Sequence, residues 1–227
     1  MIAAVAAAAS VHVVPLGRSV RGRAIDAIEL AAPNPKVAVL VVGCIHGNEP
    51  AGIAVARALE RVQPPAGVVL WIVPDLNPDG VAANTRQNAH GVDLNRNFPW
   101  RWNDGEGVFD AGPRALSEPE TRIAYRLILR IHPAVSIWFH QHENLVDSSS
   151  GNRELEKQFA AIARLPLRAL PRYGGSAVTW QSHRFPGSSP FAVELPAGAA
   201  TADQVQRYVR AILSAAGSAK RLSIRGS

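Results

Sequence analysis

The hydrophobic pattern of the chain is dominated by four short runs rich in β-branched and aromatic residues: Val37–Val42, Val68–Val73, Val135–Phe139 and Phe191–Leu195. None alternates cleanly between apolar and polar positions, as strands covered on both faces do not. Between them the spacing turns helical. After Pro50 the apolar positions Ile53, Ala56, Leu59 and Val62 recur at three-residue steps, with the proline suited to a first turn. Ser117 followed by Glu120 has the spacing of a capping box opening a helix through about Ile131. Further helices are predicted over Asn152–Arg164 and Thr201–Ala216. Strands alternating with helices predict an α/β fold: one three-layer domain over residues 1–227, with a central mixed, largely parallel twisted sheet flanked by helices.

Two stretches lack periodicity and are dense in Gly, Asn, Asp and Pro: Asn77–Pro113 and Pro171–Pro190. Loops of that length in a compact domain are usually functional. Residues 1–11, MIAAVAAAASV, are apolar and Ala-rich but lack a basic flank and are too short to span a bilayer. They fit a signal remnant or a disordered lead-in, and no later stretch reaches membrane-spanning length. Cytoplasmic and exported locations both stay open.

Composition adds little. With 24 basic and 18 acidic side chains the formal charge is +6, but the cations are mostly dispersed arginines without a run that marks nucleic-acid binding. No nucleic-acid partner is expected. The single cysteine, Cys44, excludes an internal disulfide and reads as a small buried residue at a strand end. Oligomeric state is not legible.

Four places carry candidate chemistry. Gly43–Pro50 follows a buried strand and precedes a helix, so it occupies a strand's carboxyl end, where α/β proteins place their sites. His46 and Glu49, three residues apart, can face one ion, and a neutral imidazole with a carboxylate suits zinc. Arg86–Pro99, RQNAHGVDLNRNFP, is too polar to bury without partners. Within it Arg96 offers a planar fork for a carboxylate, Asn95 a further donor, and Asp93 an acceptor for a ligand histidine's second nitrogen. His140 directly follows the third strand and completes a metal triad, with His142 as the alternative. Glu194 interrupts the apolar segment FAVELP, where a carboxylate needs partners or a shifted pKa. Of the other histidines, His132 marks a helix end, His12 and His90 read as surface or turn residues, and His183 is a pocket candidate.

These pieces resemble the funnelin metallocarboxypeptidases. HGNE at 46–49, NPDG at 77–80, the arginine-to-FP block at 86–99 and FAVELP at 191–196 occur in that family's order, with the strand-end histidine between the last two. GRSVRGR at 17–23 is similar to the family's opening turn. The resemblance implies one Zn2+ per chain at His46, Glu49 and His140, and Asn95 and Arg96 on the terminal carboxylate of a peptide substrate. It implies Arg86 as oxyanion stabiliser and Glu194 as general base. Thr179 occupies the place where the family often carries an acidic specificity residue, and Tyr173 is a pocket candidate. The short length and HGNEPAG opening look most like bacterial murein peptide amidases, which cleave the γ-D-glutamyl–diaminopimelate bond. The expected activity is hydrolysis of the amide next to a peptide's C-terminal residue. The alternatives are an N-acyl amino acid deacylase of the aspartoacylase type and a catalytically inactive peptide-binding relative.

Overall fold

A computed structural model describes residues 9–223, with side chains through residue 219. Most of the Ala-rich lead-in, residues 1–8, lies outside the described residues; its last two positions instead begin a strand.

Eight strands form one mixed sheet: β1 Ser10–Arg18, β2 Ala24–Ala31, β3 Val37–Val42, β4 Val68–Val73, β5 Val135–Gln141, β6 Leu145–Asp147, β7 Leu167–Arg168 and β8 Ser189–Leu195. Their order is β1-β2-β4-β3-β5-β8-β6-β7. The centre, β4-β3-β5-β8, is parallel, and the antiparallel pairs are β1/β2, β2/β4 and β6/β8. The helices are α1 Ala51–Ala58, α2 Pro78–Ala83, α3 Pro119–Ile131, α4 Arg153–Ala163, α5 Ala177–Arg184 and α6 Ala202–Ser223.

The uninterrupted apolar runs have the cause that the pattern suggested: the sheet is covered on both sides. Val39, Val41, Leu70, Ile72, Ile137 and Val193 face one core with α1, α4 and α6. Their strand neighbours Leu40, Val42, Trp71, Val73 and Trp138 face a second core with α3 and α5. The sheet is thus the middle of three layers. No described helix is long and apolar enough to cross a membrane.

Local departures from the expected elements have identifiable reasons. In α1 the buried stripe is Ala51, Gly52, Val55 and Ala56, continuing to Leu59, whereas Ile53 is only partly covered. Three-residue steps drift off one face of a 3.6-residue helix, and the real stripe alternates steps of three and four. Ser117 and Glu120 do not form the expected reciprocal cap. Pro119 opens α3, and Glu118 at the cap makes no capping hydrogen bond with its side chain. Glu120 instead accepts from Val20 N and Asn88 Nδ2, both at 3.0 Å. It anchors the β1–β2 turn, the GRSVRGR segment. That turn also docks on Asp79 of the NPDG motif through Arg21 N, at 2.9 Å, and the Arg23 guanidinium. The α4 expectation holds closely: the Asn152 side chain caps Glu154 N and Leu155 N at 3.1 Å, and Arg164 ends the helix with φ of 56°.

Glu156 of α4 is fully buried, its Oε1 accepting from Gly151 N at 2.7 Å and its Oε2 without a partner. Burial and the nearby Asp147 charge push its pKa up from 4.5 to about 7. A carboxyl raised on folding contributes stability below its unfolded pKa that is lost as pH rises through the folded one. Glu156→Gln is therefore expected to match the parent near pH 4 and to be more stable by ~1–3 kcal/mol at pH 8. Thermal melts across that interval would read the difference; parallel pH profiles for the two proteins would contradict it.

Candidate active site

The chain leaves β3 for β4 on one side and returns to β5 on the other, so the carboxyl ends of β3 and β5 flank a topological switch point. The turn after β3 carries His46 and Glu49 into that crevice. Gly47 lets the turn approach α2: a Cβ there would lie 1.9 Å from the Gly80 carbonyl carbon, which excludes any side chain. Asn77 Nδ2 holds the turn through the Ile45 carbonyl at 3.1 Å. Cys44 is buried and donates to the His46 carbonyl at 3.1 Å, and burial raises its pKa well above the thiol norm. It is structural, as its position suggested.

His46, Glu49 and His140 converge. His46 Nδ1 lies 3.0 Å from Glu49 Oε2, His140 Nδ1 lies 3.1 Å from the same oxygen, and the two ring nitrogens are 3.2 Å apart. All three residues are buried, and among the described residues they are the one group of three placed to bind a metal ion. A tetrahedral ion with bonds of about 2.0–2.1 Å needs donors roughly 3.3 Å apart, close to the edges of this triangle. The chemistry fits as well, since two imidazole nitrogens facing each other cannot both be protonated without repulsion, whereas one cation satisfies all three donors. His142 is exposed and outside the group, so His140 is the residue that the strand end delivers.

Behind the triangle, His46 Nε2 contacts Asp93 Oδ1 at 3.0 Å, the carboxylate–histidine arrangement expected of Asp93. Burial opposes charge on His46, but Asp93 and Glu49 together raise its pKa. Arg86 bridges the site, Nε to Asp93 Oδ2 and Nη1 to Glu49 Oε1, both at 2.9 Å. Against the cost of burial, their histidine partners hold the Glu49 and Asp93 carboxyls well below the usual range. Gln141 was not anticipated from the sequence, although its place beside His140 is a signal. Its backbone N–H donates to Glu49 Oε2 at 3.2 Å, and its side-chain oxygen accepts from Ala51 N at 2.9 Å, joining β5 to the start of α1.

Glu194 on β8 is the register partner of His140 on β5. Its Oε2 is buried without a hydrogen-bond partner, and burial pushes its pKa up, opposed by His140 and assisted by Glu49. The metal triad and Glu194 line one cavity of about 870 Å³ that also reaches Arg86, Asn95, Arg96, Tyr173 and Thr179. Asn95 Oδ1 accepts from Ala177 N at 2.9 Å, which leaves its amide nitrogen for another acceptor. The Arg96 guanidinium lies over the Tyr173 ring at 4.4 Å. Thr179 donates to the Tyr173 carbonyl at 3.0 Å and touches Ser176 Oγ at 2.7 Å, so its hydroxyl organises the cavity wall. His183 stacks on Trp100 and does not line the cavity. Among residues the sequence left unassigned, Phe109 and Asp147 line it.

Fold and donor set together describe a metal-dependent hydrolase, and sequence comparison agrees. A family model described as zinc carboxypeptidase matches residues 65–212, and a second, described as a protein of unknown function (DUF2817), matches residues 2–121. The chain belongs to the zinc carboxypeptidase family and is a hydrolytic enzyme; the family implies Zn2+ as its metal. Murein peptide amidase A of Escherichia coli K12 is 32% identical over 180 residues, covering 72% of this chain and 74% of that protein. The crystal structure of murein-tripeptide amidase MpaA from E. coli O157 superposes with a TM-score of 0.73 at 27% identity, covering 90% of this chain and 91% of that one. The rat carboxypeptidase N catalytic chain is 31% identical over 69% of this chain, which spans 43% of that protein. Carboxypeptidase A from Helicoverpa armigera shares the fold at a TM-score of 0.78 and 18% identity, over 93% of this chain and 69% of that one.

Proposed function

We propose that this protein hydrolyses the amide bond next to the C-terminal residue of a peptide, and that its substrates are cell-wall peptides joined by a γ-D-glutamyl–diaminopimelate bond. The observation that carries the reaction is Glu194: a carboxylate oxygen buried and unpartnered beside a three-donor metal site, in a cavity that also reaches Asn95 and Arg96. The similarity to murein peptide amidase A supports the substrate class.

His46, Glu49 and His140 hold the zinc, which when bound supplies Lewis acidity that acidifies water and polarises a carbonyl. Glu194 takes the proton of the attacking water and returns it to the leaving amine, a task its raised pKa suits. Arg86 already spends Nε and Nη1 on Asp93 and Glu49, so its remaining N–H groups are the ones that meet the developing oxyanion. Asn95 and Arg96 take the terminal carboxylate, and Tyr173 and Thr179 shape the wall around the released residue.

Purified protein assayed on a γ-D-glutamyl–diaminopimelate peptide, an L-peptide and an N-acyl amino acid tests the reading. Fastest turnover of the first supports it; preference for the acyl amino acid would replace it by deacylation. The carboxylate clamp has its own test in a Glu194→Gln background, where binding is separated from turnover. Arg96→Met there is expected to weaken a free-acid peptide by about 10- to 100-fold and to leave its C-terminal amide nearly unaffected. Calorimetric titration of both ligands distinguishes that from a general loss of binding.

A further inference from the structure

Phe109 is a large apolar side chain left 49% exposed, next to Val108 at 54%, in a loop otherwise polar and glycine-rich. Its exposure excludes a core role. Its ring instead faces two cations: the guanidinium carbon of Arg86 lies 5.3 Å from the centroid and that of Arg96 lies 5.6 Å from it. The loop is held there on purpose-built backbone contacts. Phe109 N donates to the Glu106 carbonyl at 3.1 Å, and Asp93 N, between the two arginines in sequence, donates to the Asp110 carbonyl at 2.7 Å. Gly105 passes so close that a Cβ would lie 1.8 Å from the Phe109 carbonyl oxygen.

Two guanidinium groups sharing a partly closed cavity repel each other and lose water. Burial, with the charge of Arg86, lowers the pKa of Arg96. An aromatic face within about 6 Å offsets part of that cost, because its quadrupole presents negative potential to a cation. Stacking also restricts a planar guanidinium in orientation while leaving its N–H edge available for oxygen acceptors.

We propose that Phe109 is a positioning residue, a cation–π platform that orients Arg96 for the substrate's terminal carboxylate. The proposal rests on the reading that Arg96 binds the terminal carboxylate. Arg86 is held independently by Asp93 and Glu49, so the orientation that depends on the ring is that of Arg96, and the effect of Phe109 falls on binding.

The test uses the zinc-loaded full chain and the fastest substrate of the panel above, with Phe109→Leu, Phe109→Tyr, Arg96→Met and the Phe109→Leu/Arg96→Met double variant. Phe109→Leu, which keeps apolar bulk without the ring face, is expected to raise KM about tenfold with kcat within about twofold. Phe109→Tyr restores KM. Arg96→Met raises KM further, and adding Phe109→Leu to it costs little more. An unchanged KM in Phe109→Leu, with the Arg96→Met loss intact, overturns the platform alone. An Arg96→Met variant with normal KM overturns the carboxylate reading beneath it. A fall in kcat and melting temperature that tyrosine does not rescue makes Phe109 a packing residue and also overturns the proposal.

Discussion

Glu194→Gln is expected to keep one zinc per chain and to lower kcat by about 10²–10⁴-fold. The substitution is nearly isosteric, and Glu194 is not among the three converging donors, so the metal has no reason to leave. What disappears is the basic oxygen. Glu194 Oε2 is buried and unpartnered, an arrangement that costs stability and is retained where the group has another use. A glutamine at this place can hydrogen-bond to water but cannot accept its proton. KM should move little, because Asn95 and Arg96 are untouched. Steady-state kinetics with metal analysis of the same preparation read both quantities. Full turnover by the variant would remove Glu194 from the mechanism, and loss of zinc would make its role structural.

His46→Ala is expected to lose metal and activity together. One nitrogen of this ring faces the shared Glu49 oxygen and the other Asp93, so its removal breaks the triangle and its support at once. Two donors remain, and the exposed His142 is not placed to replace the third. The fully buried Asp93 would keep Arg86 but lose its imidazole. A stability loss of ~1–3 kcal/mol should accompany the loss of zinc. Mass-spectrometric metal content and a thermal melt check both parts. Retention of stoichiometric zinc would contradict the assignment of His46.

Much of the architecture was legible because the central strands are covered on both faces, and continuous apolar runs such as Val37–Val42 announce that burial directly. The hairpin β1–β2 was missed for the opposite reason. Val11 and Val13 are exposed on the sheet's edge strand, and Ile25 and Ala27 alternate with exposed Ala24 and Asp26, a period-two signal that no continuous apolar run carries. The helices α2 and α5 lay inside the two expected loops. Each is short, yet each carries a readable cap, Asn77 accepting from Gly80 N at 3.0 Å and Ser176 from Thr179 N at 3.2 Å.

The site was legible where side chains sit at strand ends. His140 follows from the end of β5 and Glu194 from the polar break in β8, and the parallel pairing that puts them in register is a consequence of sheet order. Phe109 had no such signal. Its place over Arg86 and Arg96 depends on how a long polar loop folds back on the DLNR segment, through contacts such as Asp93 N to the Asp110 carbonyl that local sequence does not specify. The wall made by Thr179 and Tyr173 depends likewise on α5 and the loop before it, tied to distant residues by Ala177 N to Asn95 Oδ1 and Gly175 N to the Trp100 carbonyl.

Anomalous diffraction at the zinc absorption edge, from crystals of the metal-loaded protein, addresses the joint ligation most directly. The expected result is a single strong peak roughly 2.0–2.2 Å from one nitrogen of His46, one nitrogen of His140 and the Glu49 carboxylate. A peak elsewhere, or one that touches only one of these residues, would contradict the shared site.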